Sequence, residues 1–409
     1  MVGRRAAAAA LVAATLAGCS GGGAAHAKAA PDAGIRTVLA ARAASVLHRD
    51  PTTFLAGIDP HADRFAAAQR KVFANLAQVP LAAWSYDVVR TGPAVFTPPA
   101  AADGAPRTAA EVRLSYRLRG YDAQPVVSTA YLTFDRRGGH WYLAADDDGA
   151  ASGHRTDVQL WDQGRVQAVR GAHSLVLGLG ALPRLKGYAA DADRAVPQVA
   201  HAWGTGWPGE VVVEAPATLA QMGALLDTGP AAYRGIAAVT TGEAGAGSGA
   251  PADRVIVNPD AFGQLSSFGR QAVLTHETTH VATRTATGAA TPLWLSEGIA
   301  DWVAYRESGR TADQLAPELA ADVRAGRVPG ALPAAADFRP GAPGIAQAYE
   351  GGWLACRMIA DQWSPQTLTS LYRAVDRGGA LDARLRDALG LGLDAFTARW
   401  RTYLKGELA

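Results

Sequence analysis

Two histidines four residues apart, His276 and His280, bracket Glu277, Thr278 and Thr279. The run around them carries Phe268, Val273 and Val281 at helical spacing, opened by Ser266-Ser267 as candidate N-caps. A helix advances about 100° per residue, so His276 and His280 return to nearly the same face. Two imidazoles on one face can point at one ion, as a zinc site needs. Glu277 lies beside them, placed to polarise a water at the metal rather than to ligate it. On an exposed face the same residues would be ordinary solvated polar groups. The motif therefore needs a third ligand.

The stretch Trp294-Leu295-Ser296-Glu297-Gly298-Ile299-Ala300-Asp301 supplies one. Thr291 reads as an N-cap and Pro292 as a first helical residue, which predicts a helix over 292–305. Glu297 and Asp301 are again four apart and share a face. A helix–turn–helix folds that face back over the two histidines, and Glu297 becomes the third ligand with the fourth position left for water. Asp301 is then placed to accept the outer N–H of a ligand histidine.

This constellation resembles the gluzincins, zinc peptidases with two His ligands from HExxH and a Glu ligand from a following helix. Trp-Leu-x-Glu-Gly-x-Ala-Asp matches the Glu-helix of the peptidase MA-like gluzincins. Glu297 follows His280 by 17 positions, a spacing somewhat shorter than in thermolysin-like members. The resemblance covers 266–305 and weakens toward the C-terminus. It implies one zinc per chain, held by His276, His280 and Glu297, and hydrolysis of a peptide or protein substrate with Glu277 as general base. It also implies a small twisted sheet above the active-site helix, whose edge strand pairs with extended substrate. That edge would be 237–241, with an interior strand as the alternative. Tyr349-Glu350-Gly351-Gly352 resembles the Tyr-x-x-Gly helix start of gluzincin aminopeptidases, whose Tyr hydroxyl reaches the oxyanion. Gly351 stands where that pattern often has a Lys. His280 is the last His of the chain, so a donor to the oxyanion has to be a Tyr, an Arg, a Trp N–H or backbone. Tyr349 is the candidate, with Tyr305 and Tyr372 accounted for by helix packing. No residue reads as an anchor for a free substrate amine, which favours an endopeptidase. Two rivals stay open: a ligand-binding lipoprotein with a non-catalytic peptidase-like module, and a zinc hydrolase of a non-peptide amide or ester.

The elements that must position these residues begin behind an export signal. Arg4-Arg5 and the Ala/Leu/Val run that follows have the charged and apolar regions of a secretory signal peptide. The apolar run is about a dozen residues, too short to cross a bilayer as a helix. It ends in Leu16-Ala17-Gly18-Cys19, which resembles the lipobox of bacterial lipoproteins. Residues 1–18 would be removed, and a lipidated Cys19 would hold the chain to the outer face of the cell membrane, since stable anchoring takes more than one acyl chain. The Gly/Ala-rich stretch 19–34 reads as a flexible tether. Cys19 and Cys356 are the two cysteines, so a lipidated Cys19 leaves no intramolecular disulfide. A net charge of +2 with mixed signs gives no reason to expect a nucleic-acid partner.

The mature length suggests two domains, giving an α+β class overall. Over 35–150 two helices (35–48 and 64–76) precede four strands (82–90, 110–121, 126–136 and 141–145), with Gly138-Gly139 as a hairpin. Val112, Leu114, Tyr116 and Leu118 alternate with polar neighbours, the mark of a sheet wet on one face. Helices on a curved antiparallel sheet resemble NTF2-like domains. His140 and Asp146 to Asp148 read as strand-end solvation. A polar break at 149–157 separates this part from a gluzincin-like domain over 157–409. There strands are expected at 174–179, 211–214, 236–241 and 255–258, with helices at 189–203 and 217–226. Beyond Gly309 the chain reads as helical, with 349–362, 366–375 and 393–405 the clearest segments.

Overall fold

The computed structural model describes residues 31–241, 253–339 and 341–409. The expected signal segment, Cys19 and most of the expected tether lie outside the described residues. The chain is a mixed α and β fold with one antiparallel sheet, one mixed sheet and many helices.

Helix α1 (Pro31–His48) begins inside the stretch expected as tether. Gly34 explains the early start: a Cβ there would stand 2.5 Å from the Trp141 indole, so only glycine lets the first turn lie on the ring. A short α2 (Pro51–Ala56), capped by the Asp50 carboxylate on the N–H groups of Thr52 and Thr53, precedes α3 (Asp63–Asn75). Strands β1 (Leu81–Thr91), β2 (Arg107–Leu118), β3 (Val126–Arg137) and β4 (His140–Ala145) pair antiparallel in sequence order. Gly138 and Gly139 make the last hairpin at φ +55° and +85°, a conformation that favours glycine. Along β2 the even-numbered residues from Val112 to Leu118 are buried and the others are not, as the alternation predicts. Helix α1 covers one end of that face through Ile35 and Leu39, which pack with Val88, Val112 and Phe134.

After the short α4 (Leu160–Gln163) come β5 (Gln167–Arg170), β6 (Ser174–Gly178), α5 (Leu182–Trp203), β7 (Val211–Ala215) and α6 (Leu219–Leu225). Then follow β8 (Ala238–Thr240), β9 (Val255–Val257), α7 (Pro259–Gln264), α8 (Ser267–Thr283) and α9 (Leu293–Tyr305). The second sheet runs β5-β6-β7-β9-β8, parallel through β6, β7 and β9, with antiparallel strands at both edges. Strand β5 was not expected, because three half-exposed residues and an exposed Arg170 at an edge carry too little apolar pattern. Leu175, Leu177 and Val212 on one face of this sheet pack with Leu114, Tyr116 and Trp161 of the first part. Val176, Val211 and Val213 on the other face pack with α5 and with Leu274 of α8. The sheet is thus a layer between the N-terminal sheet and the helix that carries the two histidines. Asp122, just past β2, and Arg254, just before β9, form a buried bidentate pair at 2.7 and 2.8 Å across the same junction.

The rest is helical: α10 (Ala312–Leu315), α11 (Pro317–Arg324), α12 (Ile345–Gln362), α13 (Pro365–Asp376), α14 (Leu381–Leu389) and α15 (Leu393–Leu408). Helix α12 crosses α9 with glycines on both sides. A Cβ on Gly298 would stand 2.3 Å from the Gly352 carbonyl oxygen, and one on Gly352 would stand 2.8 Å from that of Trp294. Gly298→Ala must therefore push the helices apart, an overpacking cost of about 1–3 kcal/mol. Gly187→Ala, inside α5 where nothing approaches, should instead gain up to about 1 kcal/mol from helix propensity. Thermal melts should show the first below wild type and the second at or above it; a Gly298→Ala melt equal to wild type would mean the crossing is loose.

Candidate metal centre

Helix α8 starts where Ser266 accepts the Gly269 N–H at 3.1 Å, as the N-cap reading expects. It is held on one side by α5, where the Thr275 hydroxyl donates to Gln198 at 3.0 Å and Gln271 donates to the Asp191 carbonyl at 3.2 Å. Helix α9 begins one residue later than expected. Pro292 is extended at φ −67° and ψ 144° and takes the cap position, while Thr291 accepts the Gly288 N–H at 3.3 Å. The turn between the helices folds α9 back on α8. Tyr372 of α13 fastens it from behind, its hydroxyl 2.8 Å from Thr287 Oγ1 and 3.3 Å from Ser296 Oγ.

This folding brings the expected ligands together. His276 Nε2 lies 3.0 Å from His280 Nε2 and 3.3 Å from Glu297 Oε2, and His280 Nε2 lies 3.6 Å from the same oxygen. A tetrahedral zinc with ligands at about 2.0–2.2 Å requires ligand–ligand edges of about 3.3–3.6 Å. The three edges observed bracket that range, so the donor set fits such an ion. Asp301 Oδ1 stands 2.8 Å from His276 Nδ1, which fixes the ring with Nε2 toward the cluster. Among the described residues this is the one group of His, Cys or acidic side chains with metal-binding geometry.

The electrostatics agree. Burial works against charge on Glu297, but His280 and His276 hold its carboxyl well below the usual carboxylate range. Burial likewise disfavours charge on His276, and Asp301 with Glu297 overcomes it, raising its pKa to about 10. The site is thus a buried field that favours positive charge at its centre.

Glu277 is buried next to the ligands, and Thr240 was not foreseen beside it. The Thr240 hydroxyl lies 2.7 Å from Glu277 Oε2 and 3.2 Å from the Glu277 carbonyl oxygen. Thr240 ends β8, the edge strand of the second sheet, 37 residues before its partner. A separation that long has no local pattern. The edge strand falls within 237–241, where the resemblance places it. Arg284 at the end of α8 donates to Asp253 and to the Thr241 carbonyl, both at 2.8 Å, and so ties β8 and β9 to that helix.

Tyr349 is not at a helix start. Helix α12 opens at Ile345, after Gly344 at φ +78°, so Tyr349 lies in the second turn, half-buried and edge-on to Phe338 at 5.1 Å. Gly351 faces Trp400 and Pro333, and its carbonyl accepts the Trp400 N–H at 3.2 Å. A Cβ at Gly351 would stand 3.2 Å from the Trp400 ring and 3.4 Å from Pro333, a tight fit. Tyr305 packs on Trp353 and Phe268, and the Asp301 charge with burial raises its hydroxyl pKa above the usual range. Tyr372 is fully buried.

No family model and no curated protein matches the chain. Among solved structures, it is similar to the M1 zinc metallopeptidase from Deinococcus radiodurans at 13% identity and a TM-score of 0.33. The match covers 80% of this chain and 61% of that one. A likeness that distant carries no argument about function, which rests instead on the side chains above.

Asp301→Ala should lower zinc affinity by roughly ten- to a hundredfold, the usual cost of losing a partner that orients a ligand. A competition titration checks it, and wild-type affinity would leave Asp301 as a packing residue of α9.

Proposed function

We propose that this chain is a zinc-dependent peptidase, anchored by a lipidated Cys19 to the extracytoplasmic face of the cell membrane. The observation that carries the hydrolytic reading is the three-way approach of His276, His280 and Glu297 with Glu277 buried alongside. Zinc held there would supply Lewis-acid chemistry, polarising a carbonyl oxygen and making a water acidic at neutral pH. Glu277 takes the proton of the attacking water and delivers it to the leaving amine nitrogen. The Thr240 hydroxyl holds that carboxylate in one orientation, and its position at a sheet edge allows an extended peptide to pair with β8 beside the base. Tyr349 is the proposed donor to the oxyanion, where one preorganised donor is worth about 3 kcal/mol. We read residues 35–150 as an NTF2-like unit and 157–409 as the gluzincin-like unit. Endopeptidase action on peptide or protein substrates is the preferred form.

Glu277→Gln should keep fold and metal content while peptide cleavage falls at least a thousandfold, because an amide cannot act as the base. A peptide library incubated with and without chelator reads this out. Wild-type turnover by Glu277→Gln would overturn the mechanism. Chelator-sensitive cleavage of esters without cleavage of peptides would move the substrate class.

A further inference from the structure

The N-terminal sheet and its helices leave a second site open, far in sequence from the histidines. Arg42, Phe54, Gln69, Trp84, Tyr86 and Trp161 line a cavity of about 80 Å³ where α1 to α4 meet the sheet. One water needs roughly 10–15 Å³ by the same measure, so this space takes a small organic molecule. Ser128 and Thr129 at its rim are half-exposed, which gives an entrance.

Two donors in this wall lack acceptors. Arg42 is 8% exposed and Trp84 is 6% exposed, and neither Arg42 Nη1 nor Trp84 Nε1 has a hydrogen-bond partner among the described residues. A buried N–H without an acceptor costs about 1–3 kcal/mol, more when it belongs to an ion. Arg42 is otherwise held in place. Its Nε donates to the Tyr86 hydroxyl at 3.4 Å, its Nη2 donates to Gln69 Oε1, and its guanidinium stacks 3.7 Å over the Phe54 ring. No carboxylate of the described residues ion-pairs with it. Asp146, reached through Gln69 Nε2 at 3.4 Å, lines the cavity together with Asp157 and Asp162, and burial raises the carboxyl pKa of all three. The other unpartnered cationic atoms differ: Arg107 Nε is 2.7 Å from Asp135 and Arg254 Nε is 3.7 Å from Glu214.

We propose that this cavity binds a small monocarboxylate with an apolar body. The carboxylate accepts from Arg42 Nη1, Trp84 Nε1 supplies a second donor, and the body lies against Trp161, Leu114 and Leu132. This makes the N-terminal unit a binding module beside the metal centre, and it stands whether or not the chain cleaves peptides.

The test titrates the full chain with benzoate and hexanoate, with benzamide as the neutral analogue, following the indole N–H resonance of Trp84. That resonance is the one lost in Trp84→Phe. Either acid should shift it, with benzamide binding at least tenfold more weakly. Arg42→Gln should lose the acids by more than tenfold while zinc content stays unchanged. If Arg42→Gln does not fold, Trp84→Phe decides by calorimetry, because it keeps the ring packing and should still weaken the better acid severalfold. No shift with either acid, equal affinity for benzamide, or undiminished binding in the folded variants would overturn the proposal.

Discussion

Everything at the candidate metal centre depends on bringing three lone-pair donors within 3.0–3.6 Å of one another in a buried place. Such donors repel unless a cation or proton lies between them, so the surrounding fold must supply the force that gathers them. Helix α8 places His276 and His280 by its own periodicity, and α9 adds Glu297 by lying across it. Neither helix could stay there alone. Helix α8 is clamped between α5 and α9, and α9 is backed by α12 at the Gly298–Gly352 crossing. Close backbone approach at that crossing sets how far Glu297 reaches.

The second sheet transmits order from the other side. Its edge strand β8 delivers Thr240 to Glu277, and Arg284 anchors the end of α8 to Thr241 and Asp253. The Arg254–Asp122 pair ties the start of β9 to the N-terminal sheet. Losing one partner of a buried pair typically costs about 3–5 kcal/mol.

What could be read in the sequence follows from range. His276, Glu277 and His280 share one helical turn, and Glu297 with Asp301 share another, so local periodicity exposes them. The alternation along β2 and the helix around 35–48 are legible for the same reason. Thr240, Arg254 and the Gly298–Gly352 contact are not, because each acquires meaning only from a residue tens of positions away. The start of α1 at Pro31 was hidden because Gly34 reads as a flexible position, yet its missing side chain is what Trp141 requires. The Tyr349-Glu350-Gly351-Gly352 resemblance points to a helix start at Tyr349, whereas α12 opens four residues earlier, at Ile345.

The central claim is that His276, His280 and Glu297 hold one zinc ion. Anomalous diffraction at the zinc edge, from crystals of the full chain grown with equimolar zinc, tests it most directly. The expected result is a single strong peak about 2.0–2.2 Å from both histidine Nε2 atoms and a Glu297 oxygen. A peak elsewhere with that cluster empty, or no ordered zinc at all, would contradict the account.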